Sequence, residues 1–260
     1  MILAVDIGNT HIVLGALHKD SEKIVFTSQI SSDHRQTSDE YMVLLHNLFI
    51  LNGFNLDQVE GCILSSVVPG ITPPFRLALE KLSQKQVLVV GSGVKTGLNI
   101  LIDNPAQLGS DMVVMAVAAA AAYPKPVLIF DLSTATTLSV LDEKGGYLGG
   151  MIMPGPKIGM DALSNSTAQL PHISFEAPKR LIGTNTIDCM KSGYTYGTAA
   201  MLDGIIQRVE SKLGKKTSVI ATGALAQTIV PFCKHNVIFD ADLRLKGLRL
   251  IYLRNCPKQG

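Results

Sequence analysis

The chain has 260 residues, of which 47% are hydrophobic, and a formal net charge of +2. A chain of this length and apolar content can bury a large core, either as one long domain or as two halves. The near-neutral charge argues against nucleic acid or an anionic membrane as partner. Because no apolar run reaches the ~18 residues of a membrane span and no signal-like segment precedes the first strand, we expect a cytoplasmic protein.

Strand and helix patterns alternate along the chain, which predicts an α/β fold. Strands are predicted at Ile2–Asp6, His11–Leu17, Lys23–Ile30, Gly61–Val67, Val87–Val90, Val127–Asp131, Thr136–Leu141, Tyr147–Met153, Ser218–Thr222 and Asn236–Asp240. Helices are predicted at Ser38–Leu51, Pro74–Ser83, Met112–Tyr123, Lys157–Asn165, Thr186–Leu213 and Asp242–Arg254. Pro and Gly interrupt the pattern at Asn104–Gly109. We therefore expect an N-terminal half of residues 1–108 and a C-terminal half of residues 109–260, with the last helices packing on the first half.

One strand-turn-strand unit occurs twice. ILAVDIGNTHIVLGALHKD at Ile2–Asp20 reappears, weakly but in register, as VLIFDLSTATTLSVLDEKG at Val127–Gly145. In each copy an apolar strand ends at an aspartate, Asp6 or Asp131, and a turn of small and hydroxyl residues follows. We interpret this as two half-domains and expect the aspartates to face each other across a cleft that holds a phosphate chain and its metal. The alternative is an ordinary pair of hairpins whose aspartates stabilise their turns.

The two turns differ in detail. In the first, Gly8 is expected to allow a positive φ and a close backbone approach, Asn9 to tolerate the left-handed region, and Thr10 to donate a hydroxyl. The second turn offers the hydroxyls of Thr134, Thr136 and Thr137. Ser133 stands where the first turn has Gly8, so the second turn is expected to be less permissive.

Motifs along nearly the whole chain resemble those of type III pantothenate kinases, in that family's order and spacing. They lie at Asp6–Thr10, Ser65–Pro69, Lys95–Ile100, Asn104–Pro105, Gly109–Asp111, Asp131–Thr137, Gly149–Gly155, Asn185–Thr186, Ser192–Gly193, Thr222–Gly223 and Leu245–Leu248. The family belongs to the superfamily of acetate and sugar kinases, heat-shock ATPases and actin. The resemblance implies duplicated ribonuclease-H-like halves with a central cleft, and ATP-dependent phosphorylation of pantothenate to 4′-phosphopantothenate, the first step of coenzyme A biosynthesis.

The resemblance also implies a role for each matching residue. The ATP-binding residues would be Asp6, Ile7, Gly8, Asn9, Thr10, His11, Ile12, Val13, Thr134, Thr222 and Gly223. The pantothenate-binding residues would be Gly109, Ser110, Asp111, Met112 and Thr186. Asp111 would be the general base, Asp131 the ligand of a monovalent cation (K⁺ or NH₄⁺), and Asp6 would act on Mg²⁺ through water. The family supplies Thr186 from the partner subunit, which implies a homodimer with the active site at the interface.

Several of these residues also have plainer interpretations. Asp111 directly precedes an alanine-rich helical segment, so it is also a candidate N-cap, and the two roles are compatible. His11 is expected to pack or to point to solvent rather than to act in catalysis. The basic residues of the last helix are expected to be the solvated side of an amphipathic helix rather than a nucleic-acid site. These residues are Arg244, Lys246, Arg249 and Arg254.

Six apolar residues of the long predicted helix are expected to serve as interface groups. They are Ile187, Met190, Tyr194, Met201, Ile205 and Ile206.

Five residues depart from the family pattern. Met115 replaces an asparagine, and Ile102 lies where an aromatic residue is common. Met112 replaces an arginine, Ser133 replaces a glycine of the second phosphate turn, and Ala224 replaces the second glycine of the adenosine segment. Three hypotheses therefore stay open. The first is a working pantothenate kinase, the second a degenerate paralogue without useful turnover, and the third a regulatory accessory factor of the same fold.

Overall fold

A computed structural model describes residues 1–256 as two compact units, each with a five-stranded sheet. The strands are β1 (Ile2–Ile7), β2 (His11–Leu17), β3 (Ile24–Ser31), β4 (Gly61–Ser66), β5 (Val87–Val89), β6 (Val127–Leu132), β7 (Ala135–Leu141), β8 (Tyr147–Pro154), β9 (Ser218–Thr222) and β10 (Val237–Phe239). The helices are α1 (Ser38–Leu51), α2 (Thr72–Ser83), α3 (Ser110–Ala122), α4 (Pro156–Ser166), α5 (Thr186–Leu213), α6 (Ala226–Ile229) and α7 (Leu243–Asn255). All ten predicted strands and six predicted helices are present, with ends shifted by at most two residues. Within residues 1–256, only the short α6 and three single 3₁₀ turns were not predicted.

The two sheets have the same strand order and strand directions. The first reads β3-β2-β1-β4-β5 and the second, taken in the same sense, β8-β7-β6-β9-β10. In each sheet the first three strands are antiparallel neighbours and the last three are parallel neighbours. The register shifts at the end of β2, at Ala16/Leu17, and at the matching end of β7, at Val140/Leu141. This correspondence confirms the predicted α/β fold of two ribonuclease-H-like halves.

The compact units follow the chain differently from the predicted halves. The first unit contains residues 1–98, 103–118 and 243–256, and the second contains residues 99–102 and 119–242. The single expected boundary after residue 108 differs from this division because most of α3 and all of α7 make their contacts within the first unit. The chain thus leaves the first unit within α3 and returns to it at α7.

The central strands β1 and β6 have almost continuously apolar sequences, which favours a buried position in the sheet. Every residue of β1 and of β6 is buried, as expected of a strand covered on both faces. Helices begin at clear caps: Thr37 and Glu40 form a capping box at α1, and Asn185 accepts a hydrogen bond from the Asp188 N–H at α5. None of the helices within residues 1–256 is both long and apolar enough to cross a membrane.

Candidate functional site

Asp6 and Asp131 occupy the same place in the two sheets. Asp6 lies near the carboxyl end of β1, where its Cα is paired with Val13 of β2 and with Ser65 of the parallel strand β4. Asp131 lies near the carboxyl end of β6, paired with Thr137 and, on the parallel side, with Thr222. Both aspartates are nearly fully buried, at 2% and 3% exposure. Each unit therefore presents a buried carboxylate, with a hydroxyl residue on the parallel neighbour, at the end of the sheet where ligands of open α/β folds bind.

The first turn, Gly8–Thr10, is held by backbone contacts. The Gly8 N–H donates to the His11 carbonyl at 3.0 Å, and the Ser32 hydroxyl donates to the Gly8 carbonyl at 2.6 Å. Gly8 and Asn9 do not use the positive φ that these residue types allow, because neither residue has one. A Cβ at Gly8 would lie 3.2 Å from the His11 carbonyl oxygen, so a side chain there would need a small shift of the turn. Asn9, Thr10 and His11 are all exposed.

The second turn is one residue shorter than the first. Only Ser133 and Thr134 lie between β6 and β7, so the repeat keeps its register up to the aspartates and loses one residue in the turn. The Ser133 hydroxyl donates to Asp131 Oδ2 at 2.9 Å. Thr134 is exposed and Thr137 half-buried, but Thr136 is fully buried. The expectation that Thr136 offers its hydroxyl to a ligand is therefore wrong, because the shorter turn puts this residue in the core.

Gly223 packs directly against the Asp131 carboxylate. Its φ is +94°, and an added Cβ would lie 2.5 Å from Asp131 Oδ1 and 2.7 Å from the Leu132 carbonyl oxygen. Glycine is required here both for backbone conformation and for space. Thr222 is 2% exposed beside Asp131, whereas Ala224, one of the departures from the family pattern, is exposed.

Asp111 lies in the first turn of α3 rather than ahead of it. The helix begins at Ser110, so the N-cap prediction for Asp111 is wrong by two residues: Val113 donates its N–H to the Gly109 carbonyl at 3.1 Å. Asp111 Oδ1 accepts the Met112 N–H at 2.8 Å, which keeps the carboxylate at the helix N-terminus. A Cβ at Gly109 would lie 2.5 Å from Asp111 Oδ1, so a side chain there would move the carboxylate from this orientation.

Two serine hydroxyls connect the end of β4 to the start of α3. Ser65 Oγ and Ser110 Oγ lie 3.1 Å apart, and the Ser110 hydroxyl donates to the Ser66 carbonyl at 3.0 Å. Ser65 is 0% exposed and pairs with Asp6 across the parallel strands. Sequence reasoning placed Ser65 in a motif but gave it no role. The contacts show that it ties the Asp111 end of α3 to the strand next to Asp6.

The basic residues of α7 are not a solvated face. Arg244 Nε lies 3.4 Å from Asp6 Oδ2, and its side chain is only 18% exposed. Arg249 is buried and donates to the carbonyls of His18 and Lys19 at 2.9 and 2.7 Å. Arg254 is exposed but donates to the Thr96 carbonyl. The amphipathic pattern predicted the helix correctly, but its polar side packs on the first unit as well.

The start of α5 is exposed, whereas part of its predicted interface is core. Thr186 is the first residue of the helix and is exposed, and Ile187 beside it is 46% exposed. Met190 and Ile206 are 7% and 0% exposed within the second unit. The expectation that these two side chains form an interface is wrong, because they supply the helix's own core contacts.

The donor set suits a magnesium ion that arrives with a nucleotide. Within residues 1–256 no group of three or more His, Cys, Asp or Glu side chains is assembled as a metal cage. Mg²⁺ bound to phosphates keeps several waters and needs only one or two protein carboxylates. Asp6, a single carboxylate with Arg244 beside it, fits such a water-mediated contact better than a full coordination shell.

Comparisons with known proteins agree with this architecture. The family model of type III pantothenate kinases matches residues 2–208. A type III pantothenate kinase of an Exiguobacterium species is 45% identical over 98% of this chain and 99% of its own length, and one of Moorella thermoacetica is 42% identical over 98% and 100%. Component A of the (R)-2-hydroxyglutaryl-CoA dehydratase of Acidaminococcus fermentans matches in structure with a TM-score of 0.56 at 14% identity, covering 97% of this chain and 96% of that one. This last likeness shows the shared fold alone.

Proposed function

Because this chain belongs to the type III pantothenate kinase family, we propose that it transfers the terminal phosphoryl group of ATP to the terminal hydroxyl of pantothenate. The product is 4′-phosphopantothenate, and the reaction opens coenzyme A biosynthesis. The observation that carries the proposal is the matched placement of Asp6 and Asp131, each buried at the carboxyl end of the central strand of its sheet. The first turn and Thr134 are assigned to the phosphates of the nucleotide, and Thr222 and Gly223 to its adenosine.

Asp111 is the proposed general base, and Gly109 to Met112 the pantothenate-binding stretch. The hydroxyl oxygen of pantothenate bonds to the γ-phosphorus, the bond from this phosphorus to the β-γ bridging oxygen breaks, and the hydroxyl proton passes to the Asp111 carboxylate. ADP leaves with the bridging oxygen. The contacts from Met112 N–H and the tight fit against Gly109 hold the carboxylate in one orientation, which favours its alignment with a hydroxyl.

Two ions complete the proposal. Mg²⁺ would be held by the nucleotide phosphates with Asp6 contacting it through water, and when bound it neutralises charge on the phosphates. A monovalent cation, K⁺ or NH₄⁺, would be held at Asp131. Support comes from the burial of this carboxylate, at 3% exposure, and from the lack of space for a side chain at Gly223 beside it.

We propose a homodimer in which Thr186 contacts pantothenate bound by the partner subunit. Support comes from large apolar side chains exposed in the second unit near Thr186 in sequence and on the strand β8. They are Ile152 at 78%, Leu181 at 61%, Ile182 at 77% and Ile187 at 46% exposure. Contact with a partner subunit would remove these side chains from water, which is favourable. Sedimentation of the chain at micromolar concentration should give a dimer, and a monomer would count against this arrangement.

The test of the reaction is ATP-dependent phosphorylation of pantothenate with Mg²⁺ and K⁺ present. The native chain should be active, and Asp111→Asn should lose turnover by about 10²- to 10⁴-fold while binding ATP normally, since it loses the proton acceptor and keeps the shape. Native-like turnover in Asp111→Asn would remove the base assignment.

Met112→Arg addresses the departure from the family pattern. A restored charge-assisted hydrogen bond to the pantothenate carboxylate should strengthen pantothenate binding by roughly 10- to 150-fold. If neither the native chain nor Met112→Arg is active, the degenerate-paralogue hypothesis replaces the kinase.

A further inference from the structure

Arg244 lies beside Asp6, the aspartate that precedes the first turn, although the sequence predicted that it belongs to a solvated helix face. Its Nε lies 3.4 Å from Oδ2 of Asp6, and its side chain is 18% exposed against 3% for Asp6. Asp6 lies directly ahead of the turn formed by Gly8–Thr10. The guanidinium therefore lies beside Asp6, two residues ahead of the first turn, and is only partly open to solvent.

The position of Arg244 is fixed by the residues on either side of it. Leu243 and Leu245 are 0% and 2% exposed, so the start of α7 is anchored in the first unit. Further along the helix, Arg249 is buried and bonded to two carbonyls. A side chain at Gly247 would collide with the Val114 carbonyl, so α7 also packs closely on α3, the helix that carries Asp111. The Arg244 guanidinium is thus carried by a helix that packs in the first unit close to Asp6 and to the helix of Asp111.

Charge and donor geometry favour an anionic ligand. A guanidinium stays protonated, presents five N–H donors in a plane and matches the oxygens of phosphate groups. An ion pair between Asp6 and Arg244 is neutral as a whole, so it adds no net negative charge that would repel a phosphate chain. The carboxylate also orients the guanidinium, as second partners commonly do for ligand-binding side chains.

We propose that Arg244 binds the β- or γ-phosphate of ATP, with Asp6 holding its guanidinium in place. The inference rests on the proposed function, because it takes ATP as the ligand of this turn. It gives Asp6 a second role, that of orienting Arg244. It also gives the site a positive charge on α7 that favours binding of nucleotides with a longer phosphate chain.

The experiment measures binding of ATP, ADP and AMP with Mg²⁺ by calorimetry, using the native chain, Arg244→Gln, Arg244→Lys and the control Arg76→Gln. Arg76 belongs to an exposed ion pair with Glu80 in the same unit and is half-exposed. We expect Arg244→Gln to weaken ATP binding by about 10- to 100-fold with little effect on AMP, since AMP has neither of the phosphates concerned. Arg76→Gln should leave all three affinities unchanged.

Arg244→Gln leaves the buried negative charge of Asp6 without its cationic partner, which could prevent folding. Arg244→Lys keeps a positive charge there and is measured for this reason. Lysine keeps the charge and loses the planar donors, so we expect a folded protein whose ATP affinity falls several-fold relative to AMP. Suppose that the native chain binds ATP and that every Arg244 variant that folds keeps the native ratio of ATP affinity to AMP affinity. Arg244 then only neutralises Asp6, and the inference is overturned. If the native chain binds no ATP, the proposed function itself fails.

Discussion

The two hairpin turns share their strands and differ in what surrounds their aspartates. Asp6 pairs with Arg244, which comes from a helix at the far end of the chain, while Asp131 accepts a hydrogen bond from Ser133 within its own turn. The first turn is one residue longer, and the second is closed by Gly223 against the carboxylate. Duplication has thus kept the strand framework and given one carboxylate a cationic neighbour and the other a neutral one. This difference agrees with separate duties for the two aspartates.

The largest expected effect contrasts Gly223, which follows β9 and packs against the Asp131 carboxylate, with Gly8 of the first turn. Gly223→Ala should lower the free energy of unfolding by about 2–4 kcal/mol, because the new methyl group meets Asp131 at a positive φ. Gly8→Ala should change it by no more than about 1 kcal/mol, since φ is ordinary and the Cβ contact of 3.2 Å needs only a small shift. Urea unfolding of both variants checks this, and equal losses would show that the two glycine positions are equally constrained.

The next contrast concerns the hydroxyl beside Asp6. Ser65→Ala should lower kcat/KM for pantothenate by about 10- to 100-fold, because the α3 N-terminus that carries Asp111 keeps only the Ser110–Ser66 hydrogen bond of its two hydroxyl contacts with β4. ATP affinity should stay native. The matched control is Ser83→Ala, a buried serine whose hydroxyl donates to the Leu79 carbonyl at 2.7 Å.

Both serine variants should lose about 1 kcal/mol of stability, so stability alone does not separate them. Only Ser65→Ala should lose turnover. Native kcat/KM in Ser65→Ala would mean that Asp111 keeps its place without the hydroxyl pair.

The edge strands of the two sheets are also tethered differently. In the second unit Asp203 accepts the N–H groups of Lys234 and His235 at 2.8 and 2.9 Å, just ahead of β10. Burial acts to raise the pKa of Asp203, but these hydrogen bonds and that of the His235 imidazole outweigh it and lower the pKa below its ordinary 3.8. In the first unit a more exposed Glu80 accepts the Val87 N–H at 3.2 Å, at the start of β5.

Asp203→Asn should therefore lower stability by about 1 kcal/mol at pH 7, and Glu80→Gln by less than about 0.5 kcal/mol. Because the folded pKa of Asp203 is lowered, its contribution is fully present above about pH 4 and is lost as the pH falls through the folded pKa. Unfolding curves from pH 7 to pH 3 should show the Asp203→Asn difference shrinking at the acid end. A difference that grows on acidification would contradict this sign.

The smallest effect concerns Ser133. Ser133→Gly removes the hydroxyl that donates to Asp131, so a cation at this carboxylate competes with one hydrogen bond fewer. We expect the K⁺ concentration for half-maximal activity to fall by about two- to fivefold, in line with the loss of one hydrogen bond to a charged group that water partly replaces. Unchanged K⁺ dependence would place the cation elsewhere.

The sequence by itself determined the elements, the duplication and the family. Strand and helix periodicity is a local property, so the apolar runs ending at Asp6 and Asp131 and the pattern of Thr186–Leu213 predicted the elements to within two residues. The motifs predicted the family because they record residue types at given spacings, and the match to residues 2–208 bears this out.

Tertiary structure decided which side chains meet. Arg244 joins Asp6, Ser65 joins Ser110, and Thr136 enters the core, and none of these follows from local pattern. An amphipathic helix shows which side is apolar, but it does not show whether another element covers the polar side too, as happened to Arg249 in α7. The repeat could not reveal its one-residue loss in the second turn, because pairing of β6 with β7, and not sequence spacing, sets the register beyond the turn.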